Sequence, residues 1–308
     1  MIDTTDWPQI VSAMRMGGFY DRVMRGGPEL DRVKQYLLAF TGEAAAGGAD
    51  PSQAPSYPCF PGLSHRPFHE PGTCAGVAIL EAAFPVIRDE ALALGDGAQL
   101  DYTIASRPSR SWRDPRTWPR RRAPPRAWTV YPFYHMGVDV EPLTKRCPRT
   151  SAIVNALPNV CLDYPWGDAL LSVQGAQSRL PPHCSVDNLR LRCHLGIRIP
   201  DGAAIRVGGE TREWSEGRCL LFEDSFEHSV WNGSAVRRIV LIVDFWHPGL
   251  TEVEVRALTA GFRKSEVREI FMRKRISMTD SPGAYVRHME AALIEQDQAP
   301  ELREFWPA

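Results

Sequence analysis

The stretch LRLRCHLGIRIPDGAAIRVGGETREWSEGRCLLFEDSFEHSVWNGSAVRRIVLIVDFW (189–246) decides the fold. It contains the runs LRLRCHLGIRIP, AIRVGG, RCLLFED, HSVWNG and RRIVLIVDFW, each short and rich in Val, Ile, Leu or aromatic residues, with Pro-Asp-Gly, Gly-Gly and Asn-Gly among them. These are strand lengths broken by hairpin-turn residues. Upstream, WTVYPFY (128–134) and ALLSVQG (169–175) have the same texture. Seven such runs after about residue 127 imply a mostly β domain, a sandwich or jelly roll.

Helical periodicity flanks this region. It recurs at Ile10, Val11, Met14 and Met16, then at Leu30, Val33, Tyr36 and Leu37 beyond a hinge of Gly26, Gly27 and Pro28. Val77, Leu80, Phe84, Ile87 and Ala91 predict one amphipathic helix over 77–94. The pattern returns at 251–275 and 282–295, whereas the Gly-, Ala-, Pro- and Ser-rich stretch 41–62 reads as a linker or surface loop. The chain therefore divides into an N-terminal helical segment and linker (1–56), a β domain with its supporting helix (57–250) and a C-terminal helical extension (251–308).

The 308 residues carry 36 basic and 37 acidic side chains, a net charge of -1. That balance lacks the cationic surplus of a general nucleic-acid binder. One segment departs from it: RPSRSWRDPRTWPRRRAPPR (107–126) holds eight arginines and one aspartate. Its proline content favours a stiff, solvated insertion over a patch for an anionic partner. No window approaches the roughly 18 apolar residues of a membrane span, and the N-terminus has no signal-peptide pattern. Seven cysteines without a CxxC pair fit reduced thiols, and a cytoplasmic protein is expected.

Two histidines stand where strands meet turns: His183 in PPHCSVDN and His228 in EDSFEHSVWN. A gap of 45 residues places them on different strands of one barrel, the way a jelly roll presents two imidazoles to a single metal. Two positions after His183, where a facial triad carries a carboxylate, stands Ser185. Asp187 and Asp224 are the nearby acids, at other spacings. In the following strand, Arg190, Arg192 and His194 alternate onto one face while Leu189, Leu191 and Leu195 take the other. Facing inward, such cations require an anionic occupant; facing outward, they form a solvated ladder. With Arg237 and Arg238 ten residues beyond His228, the inward arrangement suggests a dicarboxylate or keto-acid cosubstrate.

These residues resemble the aspartyl/asparaginyl β-hydroxylases, 2-oxoglutarate-dependent iron(II) oxygenases. The resemblance is carried in order by YPCFPGLSHRPFHE (57–70), ILEAAFPVIRDEAL (79–92), WTVYPFYHMG (128–137), KRCPRT (145–150), LLSVQGAQSRLPPHCSVDNLRLRCHLGIRIP (170–200) and EGRCLLFEDSFEHSVWNGSAVRRIVLIVDFWHPGL (216–250). It implies a double-stranded β-helix, a cupin-like jelly roll with flanking helices. It further implies Fe(II) held by His183 and His228 alone, with 2-oxoglutarate and O2 as cosubstrates. Ser185 then occupies a position that is commonly glycine in the family.

By the same resemblance, Ser172, Arg192, His194 and Arg238 hold 2-oxoglutarate, with Arg238 on its distal carboxylate, and Arg190 meets a carboxylate of the substrate. The implied activity couples decarboxylation of 2-oxoglutarate to succinate with hydroxylation of an unactivated C–H, on a small-molecule, peptide or carrier-bound substrate. No membrane or nucleic-acid partner is expected. Halogenation, desaturation or cyclisation at the same two-histidine centre, and a non-catalytic cupin-like binding module, are the alternatives.

Overall fold

A computed structural model describes residues 7–45, 50–94, 128–135, 137–275 and 302–306. The arginine-rich segment 107–126 and the helix expected over 282–295 lie outside the described residues. The strands are β1 (Phe68–His69), β2 (Trp128–His135), β3 (Val138–Asp139), β4 (Ala169–Gln174), β5 (Ser178–His183), β6 (Arg190–Arg198), β7 (Ala203–Val207), β8 (Glu210–Glu213), β9 (Cys219–Phe222), β10 (His228–Asn232) and β11 (Arg238–Trp246). They form a seven-stranded sheet, β1-β9-β6-β11-β4-β2-β3, and a four-stranded sheet, β5-β10-β7-β8. All strand pairings are antiparallel, which makes a jelly roll.

Alternation decides which side chains line the space between the sheets. Leu180, Ile205, Phe222, Val230, Val240 and Ile242 fill it. On the far face of the large sheet, Leu171, Leu191, Leu195 and Leu241 pack under Leu80 of α4 (Ala75–Ala82) and Ile87 of α5 (Phe84–Ala93). Strand β11 is covered on both faces, so its RIVLIVDFW is nearly continuous in apolar residues instead of alternating.

The helix expected over 77–94 is thus two, broken at Ala83. Pro85 has no N–H to continue the ladder and is tolerated only in the first turn of a new helix. Strand β5 has no counterpart among the quoted runs, although the place of His183 implies a strand there. Pro181 and Pro182 obscure it in the sequence, but β5 is the edge of the small sheet, where a missing N–H breaks no central ladder.

The stretch 41–62 also differs from the expected linker. Gln53 pairs with Phe226, Tyr57 donates its N–H to the Val186 carbonyl at 2.7 Å, and Tyr57, Cys59 and Phe60 are buried. Its Gly and Pro content signalled irregular backbone, not exposure.

The flanking helices are α1 (Trp7–Met16), α2 (Phe19–Met24), α3 (Asp31–Thr41), α8 (Glu252–Arg263) and α9 (Ser265–Arg275); α6 (Glu141–Arg146) and α7 (Pro148–Asn155) precede β4. Phe19, Tyr36, Phe40, Phe262, Phe305 and Trp306 join both ends of the chain in one cluster, although Met16, expected on the apolar face, is 82% exposed. Thr251 starts α8 with a capping box: its Oγ1 accepts from Glu254 N–H while the Glu254 carboxylate accepts from Thr251 N–H. Val186, Leu189 and Trp246 belong to the same cluster, so the helices brace the loop that follows His183. No helix among the described residues is long and apolar enough to cross a membrane.

Candidate active site

His183 ends β5 and His228 begins β10, directly opposite each other in the antiparallel register. Their ring centroids lie 4.1 Å apart. Each Nδ1 faces a backbone carbonyl two residues earlier, Pro181 O at 2.8 Å and Phe226 O at 2.9 Å. A carbonyl only accepts, so each Nδ1 carries the proton and each Nε2 carries the lone pair. Burial, followed by the neighbouring His183 ring, pushes the His228 imidazole down to about 3; burial also lowers His183. Two neutral imidazoles with oriented Nε2 lone pairs suit a divalent transition metal.

The alternation read in β6 holds: Arg190 is 2% exposed and His194 5%, so these side chains face inward and form no solvated ladder. Arg190 and Arg192 meet acids there. Nη1 of Arg190 lies 3.0 Å from Asp224 and 3.2 Å from Asp244, and its Nη2 donates to Ser185 Oγ. Arg192 binds both oxygens of Asp244, at 2.8 and 2.7 Å, and reaches Asp224 at 3.1 Å and Asp168 at 3.3 Å. His135 Nδ1 stands 3.2 Å from the other oxygen of Asp168. Burial would raise the Asp224 carboxyl, but the two arginines outweigh it and hold it below the usual carboxylate range. For Asp244 burial prevails and raises it.

Arg238, the first residue of β11, lies in different surroundings. It is 1% exposed, donates from Nη2 to Ser172 Oγ at 3.2 Å, and sits 4.8 Å from the Trp214 ring. Its Nε and Nη1 have no hydrogen-bond partner, nor have the two ring nitrogens of His194 or the Trp214 Nε1. His194 stacks on Trp214 with centroids 6.0 Å apart and 16° between planes, and meets Phe222 edge-on at 4.8 Å. Ser172 Oγ also accepts from Trp128 Nε1 at 2.9 Å. Burial without an acid pushes the Arg238 guanidinium down to about 9 and the His194 imidazole well below its usual value. Orphaned buried donors around one cation are a site awaiting an anion.

The structure thus brings His183 to His228, and Ser172 to Arg238 with His194 stacked beside them on Trp214. Arg190 and Arg192 share their face, yet the guanidinium groups are bound to acids of the same barrel. Asp168, Asp244, Trp128 and Trp214 were missed by sequence reasoning. Asp244 had a signal, since it shares the parity of Arg238 along β11 and stands opposite Arg192 in register. Trp214 lies between β8 and β9, where no periodicity marks it.

A protein-family model described as "Aspartyl/Asparaginyl beta-hydroxylase" matches residues 81–248, more than half of the 308. Mouse "Aspartate beta-hydroxylase domain-containing protein 2" is 38% identical over 147 residues, 47% of this chain and 43% of that protein. Human "Aspartate beta-hydroxylase domain-containing protein 1" is 34% identical over 235 residues, 74% of this chain and 57% of that protein. Human "Aspartyl/asparaginyl beta-hydroxylase" is 33% identical over 203 residues, 65% of this chain and 25% of that protein. The match covers less than two thirds of the length of each of these relatives. On the extent of the family match, the chain belongs to the aspartyl/asparaginyl β-hydroxylase family.

Proposed function

We propose that the protein is a 2-oxoglutarate- and Fe(II)-dependent oxygenase that hydroxylates an unactivated C–H, at the β-carbon of an amino acid or of an amino-acid-derived or peptidyl substrate. The observation that carries this reading is the orphaned guanidinium of Arg238, buried in the same barrel as two histidines whose Nδ1 atoms face backbone carbonyls and whose Nε2 atoms therefore carry the lone pairs. The residues fit both groups. His183 and His228 would hold the iron. Arg238 would take the distal carboxylate of 2-oxoglutarate, with Ser172, His194 and Arg192 as its further contacts by the resemblance.

When bound, iron and 2-oxoglutarate supply the activation of O2 and the oxidising power. The protein fixes the tautomers through two backbone carbonyls, packs Phe222, Trp214 and Val240 in one buried cluster that would exclude water from the cosubstrate, and leaves no carboxylate on Ser185 to occupy a coordination position. By the resemblance Arg190 would meet a carboxylate of the substrate, which would have to compete with Asp224, Asp244 and Ser185 for its guanidinium. The seven free thiols support a reducing, cytoplasmic setting.

The test is succinate release from 2-oxoglutarate with iron(II) and ascorbate, screened over amino acids, peptides and carrier-bound candidates, with product masses recorded with and without chloride. Turnover that disappears in His228→Ala is expected. Failure of every preparation to bind 2-oxoglutarate would leave the non-catalytic module as the reading.

A further inference from the structure

Beyond the barrel interior, the segment leading into β1, the end of β9 and the end of β11 bring a second set of donors together. His69, Glu223 and His247 are all buried, and their ligating atoms lie within 4.8 Å of one another. A fourth donor stands at the edge: His65 Nδ1 is 3.9 Å from Glu223 Oε2, buried and without a hydrogen-bond partner. None of the four belongs to the His183–His228 pair.

We propose that His65, His69, Glu223 and His247 form a second metal site, of the zinc class, that staples the segment before β1 to the rim of the barrel. Three imidazoles and one carboxylate are a zinc donor set. The charge pattern points the same way. Glu223 is 0% exposed, and among the described residues its ion-pair partners are His65 and His69, with no Arg or Lys. The four acids around Arg190 and Arg192, by contrast, face permanent cations. A buried carboxylate requires compensation, and among the described residues imidazoles are its ion-pair partners, beside two neutral N–H donors.

One of those imidazoles is neutral on geometric grounds. His247 Nδ1 accepts the Gly249 N–H at 3.0 Å, so it carries a lone pair, while Nε2 faces the Ser64 carbonyl at 3.2 Å. Nδ1 becomes a ligand by giving up the Gly249 bond while Nε2–H keeps the Ser64 carbonyl; Nε2 becomes one only when its proton moves to Nδ1, at the cost of both bonds. The carboxylate is already oriented: Oε1 accepts from Arg66 N–H at 2.9 Å and Oε2 from Gln53 Nε2 at 3.1 Å, the outer contacts that ligating carboxylates use. A cation would replace the proton that now joins His69 Nε2 to Glu223 Oε1 across 2.8 Å. The ligands come from segments about 150 residues apart, so bound metal would stabilise the fold as a cross-link does.

The experiment uses the full chain carrying His183→Ala and His228→Ala, stripped of metal and titrated with Zn(II) or Co(II). One equivalent of zinc retained through desalting, cobalt absorption bands of a four-coordinate nitrogen-rich site and a raised melting temperature are expected. Adding His65→Ala, at a half-buried position, should weaken zinc binding about tenfold or more without unfolding the chain; adding Glu223→Gln should abolish it. No retained zinc in the double variant, or retention indifferent to His65→Ala, overturns the proposal and leaves Glu223 and His69 as a hydrogen-bonded clamp.

Discussion

Ser185 Oγ accepts a hydrogen bond from Nη2 of Arg190, while the Ser185 N–H donates to the Asp224 carbonyl at 2.7 Å. The side chain two positions after His183 is therefore held in the polar network of β6, and Arg190 is held in turn by Asp224 and Asp244. A carboxylate introduced there meets a guanidinium first. Ser185→Asp should accordingly form an ion pair with Arg190 and leave the affinity of the two-histidine centre for Fe(II) or Mn(II) unchanged. Calorimetry on wild type and variant checks this, and a tenfold or greater tightening would show that the aspartate ligates.

Arg238 predicts a conflict between stability and binding. Its charge is buried beside Ser172 and Trp214 with no acid to compensate it, so the free protein bears an uncompensated desolvation penalty. Arg238→Met should raise the melting temperature of the free protein and weaken 2-oxoglutarate binding by about 3 kcal/mol, roughly 100-fold. Thermal shift and binding titration on the same preparations separate the two effects. A lower melting temperature with unchanged binding would assign Arg238 to the fold alone.

The strand pattern, its turns and the two histidines were legible because each is local: period-2 alternation in β6 already put Arg190, Arg192 and His194 on one face. The pairing of acids with those arginines was not, because Asp168, Asp224 and Asp244 come from separate segments and meet only through the completed fold. Likewise, the extent of the strand that ends at His183 was hidden by Pro181 and Pro182, whose tolerance depends on an edge position that only the completed sheet defines.

Asp244 is the shared acid of that network. It is 0% exposed and touches both Arg190 and Arg192, so Asp244→Asn would leave one buried and one half-buried guanidinium group short of one charge. The expected loss is about 3–5 kcal/mol, the range for removing one member of a buried ion pair. Asp168, which meets Arg192 and His135 with its side chain 13% exposed, should matter less when changed to Asn. Denaturant midpoints rank the two variants, and equal losses would refute the central place given to Asp244.

Stability of the metal-free protein should fall on mild acidification. Burial holds His194 well below its usual value and His228 at about 3, so the native state keeps these rings neutral while the unfolded chain protonates them near 6.5. Below that pH the unfolded state binds more protons, and the stability present above about 6.5 declines as pH falls toward the native values. Asp244, raised by burial, acts in the opposite direction, but only where carboxylates titrate. The denaturation midpoint should therefore drop between pH 6.5 and 5, and His194→Gln should flatten that slope. A midpoint that stays level across this window in the wild type would mean that the two imidazoles are solvated and not buried as neutral rings.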